Sequence, residues 1–206
     1  MSPRKRTKIA LKADDRHAVT HDRIVRAATR LFSQYGFRRT SMDSLAAAAT
    51  VAKPTLYAYF EDKNAVFRAV CEDVLASVVV DARRASESAG TLETRVAAIL
   101  AAKFTRLYEL VDSSPHALEI LGSSDRVAAT IVEKHDRAYV AVLESALDVA
   151  TRRRAIDPAR AGLTVPSLAA LLLRCGHGAT YGATGVASHR RQVAELSRVV
   201  LAAVTR

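Results

Sequence analysis

The run Lys53-Pro54-Thr55-Leu56-Tyr57-Ala58-Tyr59-Phe60 brings one ammonium group and three hydroxyl groups close together in the chain. Proline is favourable in the first turn of a helix, so this spacing predicts a helix that begins at Lys53. In such a helix Leu56 and Phe60 lie four residues apart and share one buried stripe. The remaining residues form an exposed face, whose hydroxyl groups and positive charge suit a polyanion.

The positive charge of the chain is concentrated around this run. The net charge is +10, and residues 1–63 hold 13 Lys+Arg against 6 Asp+Glu, whereas residues 64–206 hold 18 against 15. A basic end joined to a nearly neutral body is typical of proteins that bind polyanions, because each neutralised phosphate releases counterions. A basic tail that serves only solubility is the alternative.

The elements that would position the run are helices. Residues 1–18 mix charged residues with little apolar periodicity and predict a basic mobile arm. Apolar residues at a spacing of three and four predict a first helix from about Thr20 to Gly36. A second helix is predicted from Thr40, with Asp43 completing a shortened capping box.

A tight turn separates the second helix from the third. This turn is residues 50–52, the third helix begins at Lys53, and Asp62 is the predicted N-cap of a fourth helix that ends before Gly90. A short helix, a tight turn and a second helix with an exposed polar face form the unit that sets its second helix into the major groove of DNA. Ordinary packing in a helical bundle is the alternative.

The local sequence favours the first of these alternatives. The residues that carry the signal are Gly36-Phe37, Thr40-Ser41-Met42, Leu45-Ala46, Ala49, Val51-Ala52-Lys53-Pro54-Thr55-Leu56-Tyr57-Ala58-Tyr59-Phe60-Glu61-Asp62-Lys63 and Phe67. Over about residues 22–71 this pattern closely resembles the N-terminal domain of the TetR family of repressors. The resemblance implies an all-helical homodimer that binds a palindromic operator in double-stranded DNA. It also implies a variable C-terminal domain that binds a small inducer.

The resemblance implies roles for individual residues as well. The candidate DNA-contacting residues are Thr40, Ser41, Lys53, Pro54, Thr55, Tyr57, Ala58, Tyr59 and Lys63. The two hydroxyl residues at the start of the second helix match positions that hold phosphate. The first three residues of the third helix match the tip nearest the base edges. The two tyrosines and the later lysine match backbone contacts, with core packing as the alternative for the tyrosines.

Two residues depart from the family pattern. Thr50 stands where the family very often has glycine, and Ala52 stands where it usually has a capping serine; a missing cap costs about 1 kcal/mol. The third helix also lacks Arg, Asn and Gln, which make bidentate contacts with bases. Direct readout should therefore rest on Lys53, Thr55 and the Ala58 methyl group, and DNA shape should supply much of the rest.

The rest of the chain also has helical periodicity. Further helices are predicted at about 92–111, 115–122, 125–154, 166–184 and 189–205. No strand pattern appears, so the predicted fold class is all-α. After the arm, an N-terminal three-helix helix-turn-helix domain at 19–64 is joined to a larger helical ligand-binding and dimerisation domain at 65–206.

The last two predicted helices carry apolar stripes that could form a symmetric interface. These residues are Leu168, Leu171, Leu172, Cys175, Ala179, Val193, Leu196, Val200, Ala203 and Val204. The TetR resemblance implies that this pair forms a four-helix bundle across the two-fold axis of a homodimer. Packing within a single chain is the alternative.

Polar and aromatic residues that interrupt the apolar helices of this domain are candidates for an inducer pocket. They are Phe104, Tyr108, His135, Tyr139, Arg174, His177 and Tyr181. The expected effector is a small apolar or aromatic molecule. For each residue alone, a satisfied core position or a surface position is the alternative.

Other classes of function find less support in the residues. An enzyme would need paired carboxylates, a phosphate loop or a nucleophile beside a base, and the nearest arrangements are His135 with Asp136 and His116 with Glu119. A DNA-packaging protein without sequence preference would not need so large and neutral a C-terminal body.

Cofactors, metals and membranes are not expected either. Cys71 and Cys175 are far apart in apolar helical patterns, so they predict neither a disulfide framework nor a zinc site. The longest aliphatic run, Leu168 to Leu173, is too short to span a bilayer, and no signal peptide is recognisable. The sequence therefore predicts a cytoplasmic protein with no metal and no cofactor.

Overall fold

The computed structural model describes residues 3–113, 126–179 and 183–205, and helices dominate them. The first four helices are α1 (Pro3–Tyr35), α2 (Met42–Ala48), α3 (Lys53–Tyr59) and α4 (Lys63–Glu87). The next four described helices are α5 (Leu92–Ser113), α6 (Arg126–Arg152), α7 (Val165–Gly178) and α8 (Val186–Ala202). A 3-10 helix spans Pro158–Ala161, and an isolated bridge joins Ile156 and Thr205. The predicted all-α fold class is confirmed.

By its contacts the chain divides into two compact units. The first is Met1–Asp73 with Ser114–Ala128, and the second is Val74–Ser113 with Ala129–Arg206. The division between Asp73 and Val74 falls inside α4, so this helix contributes residues to both units. The domain limits predicted from the sequence, 19–64 and 65–206, place the boundary at the start of the same helix.

Apolar residues of α1, α2, α3 and α4 form the core of the first unit. The largest of them are Ile24, Phe32, Leu45, Leu56, Phe60, Val66, Phe67 and Val70. Phe32, Phe37 and Phe67 form an aromatic cluster with ring centroids 5.0, 5.6 and 5.9 Å apart. Such pairs contribute about 0.5–1.5 kcal/mol each beyond their buried area. The cluster therefore fixes the end of α1 against the start of α4.

The predicted mobile arm at residues 1–18 is wrong from residue 3 onward, because α1 begins at Pro3. The segment holds no glycine and no proline after Pro3, and it is rich in Lys, Arg and Ala, which favour helices. It also extends a helix that already buries Ile24, Ala28 and Phe32. Extending an existing helix avoids the cost of nucleation, so no apolar stripe is needed.

The start of α2 lies one residue later than predicted, since Ser41 is the N-cap instead of Thr40. Ser44 N donates to Ser41 Oγ at 3.1 Å, and Ser41 N donates to Ser44 Oγ at 3.0 Å. This is a complete capping box. The Thr40 hydroxyl is buried and donates to the Gly36 carbonyl oxygen at 2.8 Å. Asp43, the predicted box partner, is therefore free to contact another helix.

The predicted starts of α3 and α4 are confirmed, whereas the predicted end of α7 is wrong. α3 begins at Lys53, and Ala65 N donates to Asp62 Oδ1 at 2.7 Å, as expected for an N-cap at Asp62. α7 ends at Gly178 instead of residue 184, because its glycines weaken the helix at that end. The predicted helix at 115–122 and the candidate Tyr181 lie outside the described residues.

In the second unit α5, α7 and α8 pack on one another, and α6 contributes to the same core. Tyr139 of α6 is buried and donates its hydroxyl to the Ile99 carbonyl oxygen at 2.7 Å. A Cβ atom at Gly176 of α7 would lie 2.3 Å from the Phe104 ring. Glycine is therefore needed where α7 meets this buried ring of α5.

Half of the residues predicted for the dimer interface belong instead to this core. They are Leu168, Leu172, Ala179, Val193 and Val204, each buried within the chain itself. The helical period of α7 and α8 is as predicted, but their apolar stripes face inward because α5 covers them. An interface on these helices would have to use their outward residues.

Three further observations concern the part of the chain that the structure describes. Cys71 and Cys175 are both free thiols. No described helix is long and apolar enough to cross a membrane. No three His, Cys, Asp or Glu side chains among the described residues lie close enough together to hold a metal ion.

We expect Gly176→Ala to lower the free energy of unfolding by about 1–3 kcal/mol, because the new methyl group overlaps the buried Phe104 ring. Gly178→Ala is the matched control, since a Cβ atom there meets nothing within 4 Å. The control should be neutral or slightly stabilising. Denaturant unfolding followed by circular dichroism measures both variants, and equal stabilities would contradict the overlap.

Candidate nucleic-acid interface and ligand-contact residues

α3 has one buried side and one exposed side, as its sequence predicts. Leu56 and Phe60 are buried. Six of the nine candidate DNA-contacting residues belong to α3 and lie outside the core: Lys53, Pro54, Thr55, Tyr57 and Ala58, which are exposed, and Tyr59, which is half-buried. This helix therefore presents its polar face to solvent.

The first turn of α3 lacks a side-chain cap. Ala52 occupies the N-cap position with extended backbone and makes no side-chain hydrogen bond. Pro54 follows in the first turn, where its missing N–H leaves no intrahelical bond unmade. The sequence predicts that this helix has no side-chain cap, and the structure confirms it. The position of α3 therefore depends on other contacts.

One of these contacts is an ion pair between α3 and α2. Lys53 Nζ lies 2.7 Å from Asp43 Oδ1, and the hydrogen bond from Lys53 to this carboxylate raises the pKa of the lysine. Both side chains are largely exposed, so the pair orients Lys53 more than it stabilises the fold. The sequence analysis missed this pair because it assigned Asp43 to capping.

The turn between α2 and α3 contains a strained residue. Thr50 has φ 54°, in the left-handed region that is costly for a β-branched side chain. Thr50 N donates to the Ala47 carbonyl and Val51 N to the Ala46 carbonyl, each at 3.0 Å. These bonds close α2 and hold the strained geometry. Glycine, which the TetR pattern very often has here, would adopt it without strain.

The two tyrosines of α3 have different surroundings. Tyr57 is 46% exposed, so its alternative role in core packing does not apply. Tyr59 is half-buried, and its ring stacks on His17 of α1 with centroids 4.3 Å apart. Phe60 contacts His21, also on α1, at 5.1 Å. α1 therefore supports the C-terminal half of α3; the spacing of these two histidines was the available signal for this role.

Lys63 and the two hydroxyl residues meet at the start of α2. Lys63 Nζ donates to the carbonyl oxygens of Phe37 at 2.8 Å and Thr40 at 2.9 Å, and lies 4.4 Å from the Phe37 ring centroid. Ser41 is exposed, whereas the Thr40 hydroxyl is directed to Gly36. The groups that could meet a phosphate here are therefore Ser41 and the positive charge of Lys63.

Two of the candidate ligand residues fill the core of the second unit. Phe104 and Tyr139 are both buried in it. The Phe104 ring contacts His177 edge to face at 4.6 Å, and Lys103 Nζ lies 5.1 Å from the Tyr139 ring centroid. The structure thus brings Phe104 and the exposed His177 together, but the rings of Phe104 and Tyr139 occupy space in the core.

The other candidates are dispersed. Tyr108 is half-buried and donates to the Ala183 carbonyl at 3.2 Å, Arg174 is exposed, and His135 is buried. Asp136, which the sequence analysis weighed beside His135 as a catalytic pair, contacts Lys103 Nζ at 2.7 Å.

Sequence reasoning missed a buried histidine on α8. His189 is fully buried, its Nδ1 lies 3.1 Å from Thr105 Oγ1, and its ring stacks on Tyr108 at 4.9 Å. Burial lowers its pKa, because desolvation disfavours the charged form of the ring. Its position four residues before Val193, on the same apolar stripe, was the available signal.

Sequence reasoning also missed a cleft in the second unit. Its volume is about 500 Å³, and it is lined by the C-terminal end of α4, by Arg95 on α5 and by small residues of α6. These residues come from three helices that are distant in the chain, so no local motif indicates them.

Two short helices joined by a tight turn, the second exposing a polar face and supported by α1, define a helix-turn-helix DNA-binding domain. Residues 24–70 match the sequence model of a family described as bacterial regulatory proteins, tetR family. Residues 24–70 therefore form a TetR-type DNA-binding domain, and the chain is a DNA-binding transcription regulator. The resemblance seen in the sequence is confirmed.

One relative in sequence and two solved structures of similar fold can be compared with this chain. The HTH-type transcriptional regulator YhgD of Bacillus subtilis (strain 168) is 26% identical over 143 residues, which are 68% of this chain and 74% of that protein. A TetR-family regulator from Mesorhizobium loti MAFF303099 has a similar fold, with a TM-score of 0.70, 20% identity and coverage of 92% and 98% of the two chains. A SmeT–triclosan complex gives a TM-score of 0.66 at 22% identity, with coverage of 91% and 92%.

We expect Thr50→Gly to raise the free energy of unfolding by about 1 kcal/mol, because glycine removes the left-handed strain at φ 54°. Thr50→Ala is the control: it keeps a Cβ atom and should remain closer to the unchanged protein. Denaturant unfolding measures both variants. If the glycine variant is no more stable than the alanine variant, the turn is not strained in solution.

Proposed function

We propose that this chain is a homodimeric repressor that binds a palindromic operator through α3 and is released by a small effector bound in the second unit. The observation that carries the proposal is the exposed polar face of α3 on a supported helix-turn-helix. We further propose that it works in the cytoplasm and has no catalytic activity.

The residues of the α3 face favour separate sets of contacts with the bases and with the phosphates of DNA. Lys53, Thr55 and the Ala58 methyl group are its candidates for base edges, and Lys53 arrives already paired with Asp43. A base contact by Lys53 must share or replace that carboxylate, which weakens its net contribution. Phosphate contacts near Ser41, Tyr57 and Lys63 would then supply most of the affinity.

A small apolar or aromatic effector is supported by a similar protein and by the second unit itself. The SmeT structure, which shares the fold, is a complex with triclosan. The second unit has its own apolar core and a separate cleft of about 500 Å³, within the size range of small-molecule sites.

The first experiment is a comparison of operator and random DNA. Fluorescence anisotropy at physiological salt should give at least about 10³-fold tighter binding to a short palindrome from the gene's own upstream region than to a shuffled duplex. Equal affinities would favour a DNA-packaging protein without sequence preference and would overturn the proposal of a sequence-specific repressor.

Two substitutions on this interface refine the same measurement. Tyr57→Phe removes an exposed hydroxyl and should weaken binding to all sequences. Lys63→Ala should do the same and also lower the slope of log affinity against log salt by about 1, because its charge lies beside the start of α2. Arg84→Ala, an exposed charge near the end of α4, is the control and should leave the slope unchanged. An unchanged slope for Lys63→Ala would show that this lysine serves its hydrogen bonds to backbone carbonyl groups and not the DNA.

The homodimer is proposed to form through the outward faces of α7 and α8. Val199 on α8 is 68% exposed, an unusual position for a large apolar side chain. Its neighbours on the outward side include Ala202 and Ala203, so a second helix could approach closely.

We expect Val199→Asp to shift the protein from dimer to monomer and to weaken operator binding, because it buries a charge at the two-fold interface. Val80→Asp is the control, since Val80 is 48% exposed on α4, outside the proposed interface. Sedimentation velocity measures the masses. A dimer that persists in the Val199 variant would place the interface elsewhere.

A further inference from the structure

The cleft of the second unit owes its space to one face of α6. Ala138, Ala141, Val142, Ser145, Ala146 and Val149 line it at the helical spacing of three and four. None of these side chains is larger than valine, so the face leaves room that longer side chains would fill. It offers a mostly apolar wall to whatever occupies the cleft.

The lining residues from α4 and α5 are mostly charged. Arg83 and Glu87 come from the last turns of α4, and Arg95 comes from the first turns of α5. The two guanidinium groups outnumber the single carboxylate, and arginine keeps its charge at any physiological pH. The cleft therefore has an apolar side and a side of net positive charge.

Among the lining residues, Arg95 gives the most specific indication of what the cleft binds. Its Nε is buried and has no hydrogen-bond partner among the described residues, although the side chain lines the cleft. A buried donor without a partner is unfavourable, because it has lost water and gained nothing in exchange. A carboxylate fits this requirement, since its two oxygens match the guanidinium fork.

We infer that the cleft binds a small organic monocarboxylate with an apolar body, and that such an acid is the effector. The head group would pair with Arg95 and Arg83, and the body would lie on the small residues of α6. A neutral molecule can accept a hydrogen bond from Arg95 but leaves the positive charge of the two arginines without a counterpart, and an ammonium compound faces two guanidinium groups. The inference deepens the proposed function and rests on it for the step from binding to DNA release.

Binding is tested first, without DNA. Isothermal titration of the full chain with sodium octanoate should give saturable binding, and 1-octanol should bind at least about tenfold more weakly, because it lacks the charge that pairs with arginine. No saturable octanoate binding, or equal binding of octanol, would overturn the assignment of the cleft.

Three variants locate the binding in the cleft. Arg95→Met should weaken octanoate at least about tenfold, and Glu87→Gln should strengthen it because it removes a like charge from the same wall. Ala141→Phe should abolish binding, since it fills the space without changing any charge. Thermal unfolding shows that each variant folds. If Arg95→Met and Ala141→Phe both bind octanoate as the unchanged protein does, the acid binds elsewhere and the inference is wrong.

DNA release is tested last and separates this inference from the proposed function. Octanoate should release the operator duplex from the unchanged protein and fail to release it from Arg95→Met, although both bind that duplex equally without the acid. Octanoate that occupies the cleft without releasing DNA would overturn its role as effector. Loss of operator preference in the absence of any acid would instead overturn the proposed function.

Discussion

The burial of Leu56 and Phe60 is the constraint on which the DNA-binding unit depends. A helix of seven residues is too short to be stable alone in water, so α3 exists because these two side chains leave solvent. Burying a large apolar side chain contributes about 1.5–3 kcal/mol. The same burial decides which residues remain outside, because the period of the helix turns Lys53, Thr55 and Tyr57 away from the core. The buried stripe of Leu56 and Phe60 thus both stabilises α3 and determines which of its residues can contact DNA.

The contacts around α3 compensate for weak local signals. The turn contains Thr50 in the left-handed region, and α3 starts after Ala52, which provides no cap. Local geometry therefore favours neither the turn nor the start of α3. Long-range contacts act in the other direction: Lys53 pairs with Asp43, and His17 stacks on Tyr59. The position of α3 therefore comes from tertiary contacts.

Local signals in the sequence predict the local parts of this fold and little else. The starts of α3 and α4 follow from Pro54 and Asp62, whose effects act within one turn. The choice of Ser41 over Thr40 as a cap depends on a buried bond to Gly36, which no pattern displays. The predicted start of α1 was wrong because a helix that is already nucleated can extend without an apolar period. Residue type alone could not predict that Phe104 fills the core while Arg95 lines a cleft, since both residues lie on the same helix, α5.

The composition of α3 also constrains how such a regulator could be released. Without Arg, Asn or Gln on α3, one helix gains little from base contacts, and its phosphate contacts are weakened by salt. In the proposed dimer, tight binding then requires both copies of α3 to engage half-sites together, since the second contact benefits from the high effective concentration set by the first. A small change in the spacing of the two helices removes that advantage without disturbing Leu56 or Phe60. An effector therefore needs only to favour a different spacing, and the helix-turn-helix itself remains folded throughout.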